Sequence, residues 1–276
     1  MRATIIIAGK EIRDGLRNRW VIATTLLLAA LALTLAFLGS APTGAVKVSP
    51  LAVTVVSLSS LTIFLLPLIA LLLSYDAIVG EIDRGTMALL LAYPVSRWQV
   101  VLGKFLGHIA ILAIATTIGY GVAGLVVQLM SGSLDPESSW AFAALIGSSI
   151  LLGSAFVAIG YLVSASVRDR GTAGGIVIGV WLFFVLIYDM ALLGILVADQ
   201  GRTLTAARLS WLLLLNPADA YRLLNLTGLA NVSMFSGMAG LSGQISLGPS
   251  GLIAALFGWT AVPLGLATAL FMRRQL

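Results

Sequence analysis

The sequence predicts an all-α, polytopic membrane protein, a single transmembrane domain over residues 1–276. Three observations carry that prediction. Charged residues are only 10% of the chain, against about 25% in soluble domains, and no soluble surface is covered with so little charge. The set AVILMFWYC reaches 59%. The charges also fall between long uncharged stretches, each near the roughly 20 residues a helix needs to cross a ~30 Å hydrocarbon core.

Read in order, those stretches give six spans: Val21 to Leu38, Leu51 to Tyr75, Phe105 to Met130, Trp140 to Ser166, Gly171 to Val197 and Leu252 to Met272. Pro67 predicts a kink in the second. Residues 1–18 precede the first span. Ile5, Ala8, Ile12 and Leu16 recur there at helical spacing, with Lys10, Arg13, Asp14 and Arg17 on other faces. That pattern predicts an amphipathic helix on the membrane surface. Residues 198–251 are rich in Gly, Ser and Asn towards their end and predict short helices at the outer interface. Asn216 as N-cap, Pro217 at the first helical position and Asp219 in the first turn mark one helix start.

Charge sets the orientation. With six spans, one side holds both termini, segment 76–104 and loop 168–170. It carries twelve of the sixteen basic residues; Lys47, Arg202, Arg208 and Arg222 fall on the other. The positive-inside rule makes the first side cytoplasmic, with both termini there. The net charge of +5 is thereby mainly topogenic, and no nucleic-acid partner is expected.

Composition also removes chemistry. There is no cysteine and one histidine, His108, so no thiol nucleophile, disulfide or His-rich metal site is possible. No GxxxxGK[ST] phosphate loop occurs, so no nucleotide site of that kind is expected on this chain. This chain is expected to be non-catalytic, with no cofactor of its own. Asp189 interrupts the fifth span. A two-aspartate intramembrane protease would need a second motif, GxGD, which is absent. Asp189 either lines a cation path, bonds across a dimer, or is hydrated near the outer interface, the reading its position favours. Met234 and Met238 stand i,i+4 and could hold Cu(I) through two thioethers, although methionine is also an ordinary apolar residue. Gly171, Gly175 and Gly179 predict close helix packing, as do Gly103 and Gly107.

The informative stretch is 76–98, between spans two and three. Gly85 ends what precedes it, Thr86 is an N-cap for a helix over 87–93, and Pro94 closes that helix. Ser96 can cap the next one, which runs into span three. The result is a short lateral helix fixed to two spans. The pattern Glu81, Gly85-Thr86, Leu89-Leu90, Pro94-Val95-Ser96-Arg97, Gly103-Lys104 resembles the coupling region of ABC-2 type transporter permeases. Six spans, a surface helix at the N-terminus and a loop before the last span fit that family along the whole chain. The run Lys10-Glu11-Ile-Arg13-Asp14-Gly15-Leu-Arg17-Asn18-Arg19-Trp20 is more specifically similar to the branch that serves maturation of nitrous oxide reductase, a periplasmic copper enzyme.

The resemblance implies a bacterial inner-membrane permease working as two copies. Each copy would dock a cytoplasmic ATPase, with a periplasmic partner on the outer face and copper in the pathway. It implies a coupling role for Glu81, Arg84, Gly85, Thr86, Pro94 and Arg97. Glu81 and the two arginines would contact an ATPase groove; Gly85, Thr86 and Pro94 would set helix ends. Arg168, Asp169 and Arg170 form a second cytoplasmic contact or serve topology alone. An exporter of a lipid, drug or peptide with the same architecture is the alternative.

Overall fold

The computed structural model describes residues 2–39, 50–131, 136–199, 205–227 and 248–275. The described residues are helical, with no strand among them. In chain order the helices are α1 (Arg2–Leu16), α2 (Arg19–Gly39), α3 (Pro50–Ser74), α4 (Val79–Asp83), α5 (Thr86–Leu91), α6 (Arg97–Ser131) and α7 (Pro136–Ser166). Then come α8 (Arg170–Leu182), a five-residue π turn (Phe183–Ile187), α9 (Tyr188–Asp199), α10 (Ala206–Leu214), α11 (Pro217–Thr227) and α12 (Pro249–Arg273). Five helical segments are long and apolar enough to cross a membrane, and a sixth is gained if α1 and α2, bent by 67°, count as one span. Met234 and Met238, and with them the thioether pair, lie outside the described residues.

The spans form a bundle around α7, which packs against α3, α6 and α12. Small residues permit the approach, and large apolar ones such as Leu152, Phe156 and Tyr161 fill it. Helix α3 continues through Pro67. The Trp181 indole donates to the Phe64 carbonyl at 2.9 Å in the adjoining turn, joining α8 to α3.

Both chain ends lie at one end of the bundle. Helix α1 packs on the first turns of α6, where a β-carbon on Gly103 would stand 2.9 Å from Ile7 Cβ and from the Thr4 carbonyl. A β-carbon on Gly107 would stand 2.5 Å from Glu11 Cβ. The face of α1 that meets α6 therefore carries Thr4, Ile7 and Glu11. The apolar stripe read from the sequence lies beside it, with Ile5 and Leu16 exposed, where a bilayer surface would meet them.

The other glycine repeat behaves differently. Gly175 and Gly179 would meet nothing within 4 Å, and Gly171 only its neighbour Asp169. The close packing predicted at α8 is thus not made among the described residues. At the far end, α10 and α11 form in the predicted region. The Asn216 side chain accepts from the Ala218 N–H at 3.0 Å, and Pro217 opens α11, as the cap and first-turn reading requires.

Candidate functional site

Segment 75–97 turns at the terminal end of the bundle and re-enters it as α6. Its backbone is held from below by Ser164 of α7, whose hydroxyl accepts from the Ile78 and Val79 amides at 3.0 and 3.1 Å. Those two N–H groups open α4 and have no intrahelical acceptor, so one buried hydroxyl both satisfies and locates them. Gly85 then reverses the chain. Its φ of 71° lies in the left-handed region, where a β-carbon is costly.

Here the structure corrects the expected helix. Gly85, not Thr86, is the N-cap; Thr86 is the first helical residue, and α5 stops at Leu91 rather than 93. The Thr86 hydroxyl donates backwards, to the Glu81 carboxylate and carbonyl. This cross-brace between α4 and α5 leaves Gly85 free to adopt the turn. Pro94 is exposed in the turn between α5 and α6, and the Ser96 amide donates to the Gln99 side chain at 3.1 Å, opening α6.

Behind Glu81 lies an ion cluster. Lys104 of α6 is 3% exposed and donates to Glu11 of α1 at 2.7 Å and to Glu81 of α4 at 3.0 Å. His108, one turn on, stands 3.8 Å from Glu11 and bonds the Tyr161 hydroxyl of α7 at 3.0 Å. A buried ammonium is tolerated only when paired; here two carboxylates from separate elements share it. Burial alone would raise the Glu11 pKa, but Lys104, with His108 and Lys10, holds it below its ordinary value. Four elements, α1, α4, α6 and α7, thereby meet at one point.

The other expected contacts fall around this cluster. Arg84 is exposed, with Asp76 at 3.9 Å. Arg170 pairs with the same Asp76 at 3.0 Å, and its amide donates to Asp83 at 3.2 Å. Asp169 caps α8, accepting from the Thr172 amide and hydroxyl, each at 2.7 Å. Asp169–Arg170 thus adjoins segment 75–97, whereas Arg168 lies on the other side of the loop, beside the end of α12. Arg97 is engaged within the chain. Its Nη1 donates to the Phe271 and Met272 carbonyls at 2.8 and 3.3 Å, and to that of Arg274, with the guanidinium over the Phe271 ring. These bonds grip the end of the last span. The carbonyls of a helix C-terminus lack intrahelical donors, and an arginine supplies them.

Between α1 and α5 opens a groove of about 560 Å³, lined by Ile6, Lys10, Glu81, Leu89, Tyr93 and Lys104 among others. Ile6, Leu89 and Tyr93 are exposed. An apolar rim thus stands over a charged floor, next to the short helix α5. Lys104 and Glu11 enter the sequence reading only inside the two family patterns, with no partner assigned to either, and Ser164 does not enter it. The available signal was Lys104 and His108 at i,i+4 at the start of an apolar span, since ionisable groups there need partners.

A second cluster sits at the opposite end. Arg222 of α11 bonds Asp189 of α9 at 2.7 Å and Asp219 of its own helix at 2.8 Å. Asp189 is therefore ion-paired within the chain rather than simply hydrated. Burial pushes the Asp219 carboxyl up from its ordinary value and Asp189 adds to this, against the pull of Arg222. Asn216 donates both to Asp219 at 3.0 Å and to the Phe184 carbonyl in the π turn at 2.9 Å, which ties α11 to the fifth span. Among the described residues no three His, Asp or Glu side chains are grouped to hold a metal.

Comparison with known proteins agrees with this geometry. The family model described as ABC-2 family transporter protein matches residues 5–276. The chain is 47% identical over 271 residues, 98% of each chain, to a protein named "Probable ABC transporter permease protein NosY" from Pseudomonas aeruginosa. It is 46% identical over 269 residues, 97% of each, to a protein of the same name from Stutzerimonas stutzeri. With a helical multi-span bundle and a family match along nearly its whole length, the chain belongs to the ABC-2 family of transporter permeases.

Proposed function

We propose that this permease converts ATP hydrolysis on a separate cytoplasmic ATPase into motion at its periplasmic face, in the service of copper-site assembly in nitrous oxide reductase. The observation that carries the coupling role is Lys104 held between Glu11 and Glu81. A push on α5 passes to α4 through the Thr86–Glu81 bond, and from Glu81 to α6 and α1 together. The groove between α1 and α5 receives the ATPase, with Leu89 and Tyr93 as apolar anchors and Arg84 at the rim. Asp169–Arg170 extends that surface.

Motion then leaves by two routes. Arg97 carries it to the end of α12, and α6 carries it across the membrane. At the far end, Asn216 and Arg222 link α11 to the fifth span, so α10 and α11 follow. The basic excess supports a cytoplasmic location for the terminal end, and membership of a transporter-permease family supports the bacterial inner membrane as the site. The open glycine face of α8 would be covered by a second copy, since close packing of small residues is the usual way such faces are used. The maturation role rests on the names of the two relatives and on the run Lys10 to Trp20. ATP and magnesium belong to the ATPase, and copper to the pathway rather than to a site on this chain. A periplasmic protein is the expected recipient of the motion.

The test is co-purification with the ATPase, followed by ATP hydrolysis in proteoliposomes. Glu81→Ala should insert normally yet lose permease-dependent stimulation of hydrolysis. Full stimulation in that variant would remove the coupling assignment. Export of a lipid, drug or peptide by the same complex, with nitrous oxide reductase maturing normally in a deletion strain, would favour the exporter reading.

A further inference from the structure

A third charged feature is used by neither cluster. At the terminal end, the last turns of α7 and α12 stand side by side and leave a cavity of about 320 Å³. Arg168, Arg273 and Arg274 line it, with Ser166, and Val167 and Leu270 form its apolar wall. Among the described residues no carboxylate side chain lines it. Arg274 is fixed: its side chain donates to the Ala165 carbonyl at 3.5 Å, and its own carbonyl is held by Arg97. Arg168 and Arg273 are exposed and make no hydrogen bond or ion pair among the described residues.

Three guanidiniums around one small cavity repel one another unless an anion sits between them. Helix C-terminal carbonyls offset part of this, yet Arg97 and Arg274 already serve those. The surroundings specify which anion. Leu270 continues into Leu266 and Val262, one turn apart on α12 and all exposed, so an apolar track runs from the arginines into the membrane-spanning part of the helix. A free phosphate would use the arginines and ignore that track; a lipid would use both.

We propose that this cavity binds the headgroup phosphate of an anionic phospholipid. Arg168, Arg273 and Arg274 hold the phosphate oxygens, and an acyl chain lies along Leu270, Leu266 and Val262. The bound lipid screens the three charges and bridges the ends of α7 and α12, beside the point where Arg97 grips α12. Guanidinium forks suit phosphate oxygens geometrically, and basic pockets between spans are suited to anionic headgroups.

The test uses the full-length protein purified in detergent, its thermal unfolding followed with added phosphatidylglycerol, phosphatidylcholine or inorganic phosphate, and its phosphatidylglycerol affinity measured by titration. Phosphatidylglycerol should stabilise, and the other two should not. R168Q and R273Q should each weaken phosphatidylglycerol binding about fivefold, and together about thirtyfold, from the roughly 1 kcal/mol per basic residue near an anionic surface. R2Q with R13Q, on α1, should leave it unchanged. The single substitutions keep eleven of twelve topogenic charges, so insertion is preserved. Equal binding by the single and double variants overturns the proposal. So does protection by inorganic phosphate equal to that by lipid, which would mean a free-anion site. Loss of the ATPase from the purified complex with lipid binding intact overturns it too, because the arginines would then face that partner. Failure of the wild-type chain to bind any ATPase would count against the coupling role alone and leave the lipid result standing.

Discussion

The two ion clusters share a formula and differ in setting. Each places one cation between two carboxylates: Lys104 between Glu11 and Glu81 at the terminal end, Arg222 between Asp189 and Asp219 at the other. The Lys104 side chain is 4% exposed and its partners 11% and 14%. The Arg222 side chain is 25% exposed and Asp189 26%, with only Asp219 buried. A buried charge that loses its partner is left uncompensated, whereas water can replace a partner at a half-open pair. The inner cluster is therefore a structural commitment, and the outer one an adjustable tether. That difference suits the proposed coupling role, in which one end is pushed and the other moves.

The sharpest way to break the comparison is Lys104→Met. It strands two carboxylates under α1 and should cost about 3–5 kcal/mol, read as a large fall in unfolding temperature and loss of ATPase stimulation. Adding Glu11→Gln and Glu81→Gln to the same chain should recover part of the stability, since the stranded charges are removed. Next in size is Gly103→Val, which drives a side chain into Ile7 and the Thr4 carbonyl. About 1–3 kcal/mol of overpacking is expected, with α1 gaining hydrogen exchange while α9 and α11 keep their protection.

Asp189→Asn should cost about 1 kcal/mol, because Arg222 retains Asp219 and solvent reaches the site. A loss as large as that from Lys104→Met would end the distinction between the clusters. The smallest effect is in acid. Glu11 is held below its ordinary pKa of 4.5 by Lys104, Lys10 and His108 against its burial. Its contribution is complete above that value and is lost as pH falls through the lower, folded-state one. Protection of α1 should then be constant from neutral pH down to about 4.5 and decline only below; a decline near neutrality would show that another group controls the attachment.

How much of this was legible depended on distance along the chain. Span positions, the close approach at Gly103 and Gly107 and the Asn216 cap are local patterns, and composition and spacing expose them. Gly85 reads as a break and Thr86 as the cap, but the cap is Gly85, because the Thr86 hydroxyl is taken by Glu81 of the preceding helix, a partner no local pattern reveals. Partners of Lys104, Arg97 and Asp189 lie 93, 174 and 33 residues away, and no periodicity encodes such pairings. The glycine repeat at Gly171, Gly175 and Gly179 predicts a close approach that no described helix makes. It did not say whose helix would come close.

Arg97 closes the terminal end in an unusual currency, main-chain oxygen. Every residue offers the same carbonyl, so these hydrogen bonds ask nothing of the side chains there, and only the Phe271 ring under the guanidinium adds a demand of its own. Apart from Phe271, the last turn of this protein can accumulate substitutions without slipping free of α6, provided the turn itself stays wound.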